Sequence, residues 1–223
     1  MSLQKVVIIG AGGNAREILD VFDAINRVKP TFDVIGYIVD PQYGTPGTYI
    51  NNKPILGGFD WLSEHKDDVQ AIFSVGASEK RMLLVKRAQE MSVHFCSIVH
   101  PNAILTQWVT IGEGTVITAG CILTNQIRIR NHVHINLDCT IAHDVIIEDF
   151  VTLAPGVHVS GNVILGEGCY IGTGANIIEK KSIGAWSIIG AGSTVVTNVP
   201  KNATAVGVPS KVIKTRQDGW HLK

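Results

Sequence analysis

"TIAHDVIIEDFVTLAPGVHVSGNVILGEGCYIGTG", residues 140–174, carries an aliphatic residue at every sixth position: Ile141, Ile147, Leu153, Val159, Leu165 and Ile171. Outward in both directions the same step runs without a slip. It passes through Val99, Leu105, Ile111, Ile117, Leu123, Ile129 and Ile135 on one side and Ile177, Ile183, Ile189 and Val195 on the other. The position two before is usually small or β-branched (Cys121, Val133, Cys139, Val145), and the position just after is often glycine (Gly112, Gly166, Gly172, Gly184, Gly190). A strand repeats with period 2 and a helix with period 3.6, so neither keeps register over so many steps of six. The stretch is a hexapeptide repeat. Each unit supplies a short strand and a corner, and one unit buries its aliphatic residue only by stacking on its neighbours.

Composition sets the outer limits. The chain has 223 residues, 45% hydrophobic and 17% charged, enough to bury a substantial core. With 19 basic and 19 acidic residues there is no overall field to draw it onto nucleic acid or an anionic membrane. The early apolar run "VVIIGAG" is too short for a signal-peptide core, and nothing approaches the roughly 20 apolar residues of a membrane span. A cytoplasmic protein with no nucleic-acid or membrane partner is expected. The cysteines Cys96, Cys121, Cys139 and Cys169 have no C-x-x-C spacing and read as small buried thiols, so no metal is expected.

The first 95 residues follow a different pattern. "KVVIIGAGGNAREILDVFDAI" reads as a buried strand, a glycine-rich turn and an amphipathic helix with Ile18, Leu19, Phe22 and Ile25 on one face. Strands are expected at "DVIGYIVD", "AIFSVG" and "VHFCSIV", with a helix at "EKRMLLVKRAQEM". This alternation predicts a small α/β Rossmann-like βαβ domain. The turn "GAGGNA" fits G-x-G-x-x-A, and Asp40 ends the second strand where a ribose-binding acid stands in nicotinamide binders. The motif by itself indicates a phosphate or ribose near a helix N-terminus without naming the ligand.

Taken in order, "GAGGNARE", "GYIVD", "PILGG", "FSVG", "IVHPNA", the hexads, the "HD" pair at His143-Asp144 and the closing "AVGVPSKVI" resemble the bacterial sugar acetyltransferases. That family includes the sialic-acid O-acetyltransferases and the nucleotide-linked 4-amino-sugar N-acetyltransferases. The resemblance implies three parts: a nucleotide-sugar-binding domain over 1–95, a left-handed parallel β-helix that binds acetyl-CoA over 96–200, and a segment over 201–223 packing on the β-helix. The final "HLK" is expected to be disordered. In such a β-helix three hexads make one triangular coil, so Gln107, Asn125, His143, Gly161 and Glu179 stack in one corner column.

The same resemblance implies roles residue by residue. His143 matches the catalytic histidine and Asp144 its acidic neighbour, while Gly161 matches the glycine one coil later whose N–H meets the thioester carbonyl. Thr152 stands where the family often has a second histidine, and Thr173, Ala191 and Lys211 fall along the acetyl-CoA path. Gly10, Gly12, Gly13 and Asn14 match the pyrophosphate loop, although the family often has histidine at the position of Asn14. Asp40, Gly76 and Arg81 would line the ribose or base, with Asn136 near the sugar. The family is typically a homotrimer with active sites between subunits.

These assignments predict direct acetyl transfer from acetyl-CoA to the 4-amino group of a UDP-linked 4-amino-4,6-dideoxy sugar, with no metal. Histidine ordinarily titrates near neutrality and can take the proton of the attacking amine. A hydroxyl acceptor such as sialic acid is the alternative within the family. Outside it stand a dinucleotide-dependent oxidoreductase and a non-catalytic nucleotide-binding scaffold.

Overall fold

The structure is a computed structural model that describes residues 3–222. Strand β1 (Gln4–Ile9) runs into the glycine turn and helix α1 (Gly13–Val28), followed by β2 (Phe32–Ile38), β3 (Tyr49–Ile50) and β4 (Lys53–Gly57). Helix α2 (Phe59–Glu64), β5 (Gln70–Phe73), α3 (Ser78–Glu90) and β6 (His94–Phe95) complete this part. Its sheet has the order β3-β4-β2-β1-β5-β6. All its pairs are parallel except the β3–β4 hairpin.

The helices cover both faces of that sheet. On α1 the buried Ile18, Leu19 and Phe22 pack against Val6, Ile8, Val34 and Ile72. Helices α2 and α3 cover the other face through Phe59, Leu62, Val85 and Ala88, against Val7, Ile9, Ala71 and Phe73. Helix α1 stops because Pro30 follows: Lys29 takes an extended conformation, ψ 115°, as residues before proline do.

From Ile98 onward the chain is a left-handed parallel β-helix. Two-residue and three-residue strands stack in three sheets, and each pairs with the strand 18 residues away, as in Ile117↔Ile135, Leu123↔Ile141 and Ile129↔Ile147. The aliphatic residues identified by the step of six fill the prism. Ile135, Ile147, Leu153, Leu165, Ile171 and Ile189 are fully buried. Every sixth residue from Gly114 to Gly192 holds a left-handed backbone with φ between 53° and 75°, and that residue makes the corner. The sequence had pointed instead to the glycines just after the inward residue. Those have another reason: at Gly166 a Cβ would lie 2.6 Å from the Ala185 nitrogen in the next coil.

The two parts meet along a packed seam. Ile98 and Val116 of the first coils belong to the cluster under α1, and Phe150 packs against the cluster under α3. The imidazole of His132 sits in that seam, stacked on Phe150 at 5.5 Å and edge-on to Phe95 at 4.8 Å. The chain's last residues fold back as well. Ala203–Val206 extends the stack and pairs antiparallel with Lys211–Thr215, and His221 stacks on Trp186 at 3.9 Å. The expectation of disorder for "HLK" fails at His221 and Leu222, which form a 3-10 turn with Trp220. Trp220 donates from its indole to Asn202, and that bond ties the turn down. Lys223 lies outside the described residues.

Burial holds His132 well below its ordinary value, at about 4, with the Arg81 charge adding to the effect, and it lowers His134 further. Both rings are neutral in the folded state, whereas the unfolded chain takes up protons near 6.5. Their contribution to stability is therefore full above pH 6.5 and is lost as pH falls toward 4. Thermal melts across that window should show a falling Tm. His132→Leu should reduce the slope; an unchanged slope would mean that the His132 ring does not couple to folding.

Candidate active site

The step of six puts His143 at a corner, two residues past the inward Ile141, and Asp144 at the left-handed position itself, φ 61°. Aspartate tolerates that conformation better than most residues. The turn bends the carboxylate back onto its neighbour, and His143 Nδ1 meets Asp144 Oδ2 at 2.8 Å. A carboxylate only accepts, so Nδ1 carries the hydrogen and Nε2 is left as the basic atom. The side chains are 60% and 53% exposed.

One coil on, Gly161 lies against that ring: a Cβ there would be 2.6 Å from His143 Cε1 and 2.7 Å from Nε2. Corner amides bond down the stack, Asp144 to the Asn125 carbonyl at 3.0 Å and Asn162 to the His143 carbonyl at 2.9 Å. The Gly161 N–H has no acceptor among the described residues. Beside the pair a shallow groove of about 210 Å³ runs along Thr140, Ala142, His158 and Ser160.

Two larger cavities flank the glycine turn. The first, about 600 Å³, is lined by Gly10, Ala11, Gly12, Val75, Asp40, Tyr43, Phe59 and Lys80. The second, about 620 Å³, lies between the N-terminal sheet and the prism. It gathers Asn14, Gly76, Asn136, Thr152 and Thr173. Asn14 donates to the Ser74 carbonyl at 2.9 Å and Asn136 to the Leu153 carbonyl at 2.6 Å. Asp40 is paired with Arg87 at 3.2 Å. Gly13 opens α1, whose cap residue Gly12 supplies no side-chain hydrogen bond; the Ala15 N–H bonds to the Gly12 carbonyl at 3.2 Å, and those of Gly13 and Asn14 are left to a ligand or water. Ala191 and Lys211 are exposed farther along the stack.

The structure thus divides the residues singled out by sequence. His143, Asp144 and Gly161 occupy the corner after one face of the prism, while Thr173 and Ala191 follow Ile171 and Ile189 of another face. None of the first three lines either large cavity.

Two assignments need correction. Arg81 does not line a nucleotide pocket: it is fully buried, and its guanidinium donates to the carbonyls of His132, Val75 and Phe150 at 3.0, 2.7 and 2.7 Å. Burial pulls it down to about 9. Thr152 does not have a free hydroxyl for an acyl group. It is 2% exposed. Its Oγ1 donates to the Gly76 carbonyl at 2.9 Å and accepts from Arg81 at 2.9 Å and Ser78 at 3.2 Å. Together Arg81 and Thr152 clamp the loop after β5 onto the prism. Sequence reasoning missed this because a clamp has no motif, and the only signal was a charge at a buried helical position.

Two family models match segments of the chain. The PglD N-terminal domain family matches residues 5–88 and the bacterial transferase hexapeptide repeats match 144–179. A curated UDP-N-acetylbacillosamine N-acetyltransferase from Bacillus subtilis is 33% identical, and the match spans about half of each chain, 52%. Perosamine N-acetyltransferase from Caulobacter crescentus, solved with CoA and GDP-perosamine, superposes with a TM-score of 0.87 at 26% identity, covering 96% of this chain and 98% of that one. The acetyltransferase domain of PglB from Neisseria gonorrhoeae gives 0.86 at 28%, covering 94% and 100%. Among the described residues no His, Cys, Asp and Glu cluster could hold a metal ion, and no helix is long and apolar enough to cross a membrane.

Removing the clamp tests its weight. Arg81→Met leaves several buried carbonyls without a donor, each worth about 1–3 kcal/mol. Urea denaturation should show a loss of at least ~2 kcal/mol. A loss under ~0.5 kcal/mol would show that the seam does not depend on this side chain.

Proposed function

We propose that this chain belongs to the hexapeptide-repeat sugar acetyltransferases with a PglD-type N-terminal domain and moves an acetyl group from acetyl-CoA to the amine of a nucleotide-linked amino sugar. The acceptor is the 4-amino group of a UDP-linked 4-amino-4,6-dideoxy sugar. The observation that carries this reading is the His143 corner: an imidazole oriented by a carboxylate, an open Nε2, and an unspent glycine amide one coil on.

The chemistry follows from those three groups. The amine nitrogen attacks the thioester carbonyl and forms the C–N bond, while His143 Nε2 takes the proton that the nitrogen sheds. Asp144 holds the ring in the required tautomer and steadies the imidazolium. Negative charge grows on the carbonyl oxygen, and the Gly161 N–H is the donor suited to meet it. Collapse breaks the C–S bond, and the sulfur of CoA leaves with the proton from the imidazolium.

A covalent acyl-enzyme is disfavoured, because all four thiols are buried away from this corner and burial pushes Cys96 up to about 12. General base and oxyanion donor contribute about 10²- to 10⁴-fold and 10²- to 10³-fold. The rest must come from holding both substrates in place. His143 and the Thr173–Ala191 edge lie at different corners of one prism, so a site using both requires a second copy of the chain. A homotrimer with sites between subunits meets that need. Acetyl-CoA lies along that edge toward Lys211, and the nucleotide occupies the cavity at Gly10–Gly12 with Asp40 on its wall. Asn14, Gly76 and Asn136 face the sugar. The protein works in the cytoplasm, where acetyl-CoA and nucleotide sugars are made.

His143→Ala should keep the fold by circular dichroism and lower kcat by at least about 100-fold. Gly161→Ala should lower it by about 10²-fold, since the new methyl displaces the ring and crowds the oxyanion amide. The deciding assay is thiol release from acetyl-CoA across UDP-, dTDP- and GDP-linked 4-amino sugars and free sialic acid. Release with sialic acid alone, or a near-normal kcat for His143→Ala, would overturn the reading.

A further inference from the structure

Glu79 and Lys80 are neighbours in the first turn of α3, yet they face different cavities. Lys80 lines the cavity that contains Gly10–Gly12, where the other charged side chain, Asp40, is already paired with Arg87. Glu79 lines the cavity on the far side of the turn together with Glu17 of α1. No basic side chain stands on that second wall, and neither carboxylate forms an ion pair among the described residues. Arg81, behind Glu79, is fully buried and committed to backbone carbonyls. Charge therefore reverses across a single turn of backbone, from one free cation to two free anions.

We propose that this reversal selects the acceptor. The diphosphate of the nucleotide lies on the Lys80 side, and the amine, which is largely protonated at neutral pH, is recognised by Glu17 and Glu79 on the other. A ligand that is anionic at one end and cationic at the other matches both walls. A sugar with only hydroxyls gains nothing from the carboxylates, and a sugar carboxylate meets like charge. Before attack the bound ammonium gives one proton to solvent water, the proton that the nitrogen sheds during attack goes to His143 Nε2, and the amide product is neutral. Acetylation thus removes the charge that held the acceptor, and the product leaves more readily than the substrate. This specificity role deepens the acetyl-transfer reading for the fate of the amine, but binding tests it separately.

Calorimetry on the whole 223-residue chain without acetyl-CoA supplies that test, with UDP and GDP, their 4-amino-sugar conjugates and the N-acetylated conjugates as probes. The amine conjugate should bind at least about tenfold more tightly than its amide. Glu17→Gln/Glu79→Gln should erase that preference, raising the Kd of the amine conjugate about tenfold while the Kd of the free nucleotide moves much less. Lys80→Gln should weaken nucleotide, amine and amide conjugates alike and leave the preference in place. If the double variant does not fold, each single variant carries the same expectation at reduced size. Equal Kd values for amine and amide, a preference that survives both substitutions, or no binding of either amine conjugate would overturn the proposal. No acetyl transfer occurs in this measurement, so an inactive protein that still prefers the amine would sink the acetyltransferase reading alone.

Discussion

From Gly114 to Gly192 each corner of the prism turns on one residue held at a left-handed φ, and the stack of those coils depends on that constraint being met every six residues. Glycine meets it without strain at Gly114, Gly120, Gly156, Gly168, Gly174 and Gly192. At Gln126, Phe150, Lys180 and Trp186 a residue with a Cβ takes the conformation at a cost of roughly 1–2 kcal/mol each. The coil above and below offsets that cost. From His132 to Gly192 each corner amide bonds to a carbonyl one rung away, and the inward aliphatic side chains from Ile117 to Val195 are buried in one core. No single coil could hold these angles, so the strain and its compensation exist only in the stack.

The candidate site grows out of the same constraint. Asp144 is one of the left-handed corner residues, and the bend that makes the corner also swings its carboxylate onto His143. The ring then needs room overhead, which the next coil supplies at Gly161. Structural and chemical requirements coincide in these three residues. A neighbouring corner, Asp138 below Gly156, lacks the histidine and is only a turn.

The seam between the two parts obeys a different rule. A buried cation normally costs stability, and Arg81 escapes that cost by spending its donors on carbonyls from α3's approach loop and from two separate coils. The same bonds fix Gly76 and Thr152 beside the second cavity. The wall of that cavity is thus rigid where it meets the prism, while Glu17 of α1 and Glu79 in the first turn of α3 face it from the other side.

The sequence by itself determined the six-residue repeat and its register, because a period of six is matched by neither a helix nor an ordinary strand, and the family resemblance implied the prism. With the register came the placement of His143 at a corner and of Gly161 above it. It also determined the βα unit, since a glycine turn between an apolar run and an amphipathic face has few other readings. Only the tertiary structure decided what Arg81 and Thr152 do. Apart from the Val75 and Gly76 carbonyls that Arg81 reaches on its own loop, their partners lie 51 to 76 residues away, and no local pattern records a hydrogen bond to a distant carbonyl. It alone also showed that adjacent Glu79 and Lys80 face opposite cavities. Direction around a helix is readable from spacing, but the position of a cavity depends on how two separately folded layers meet.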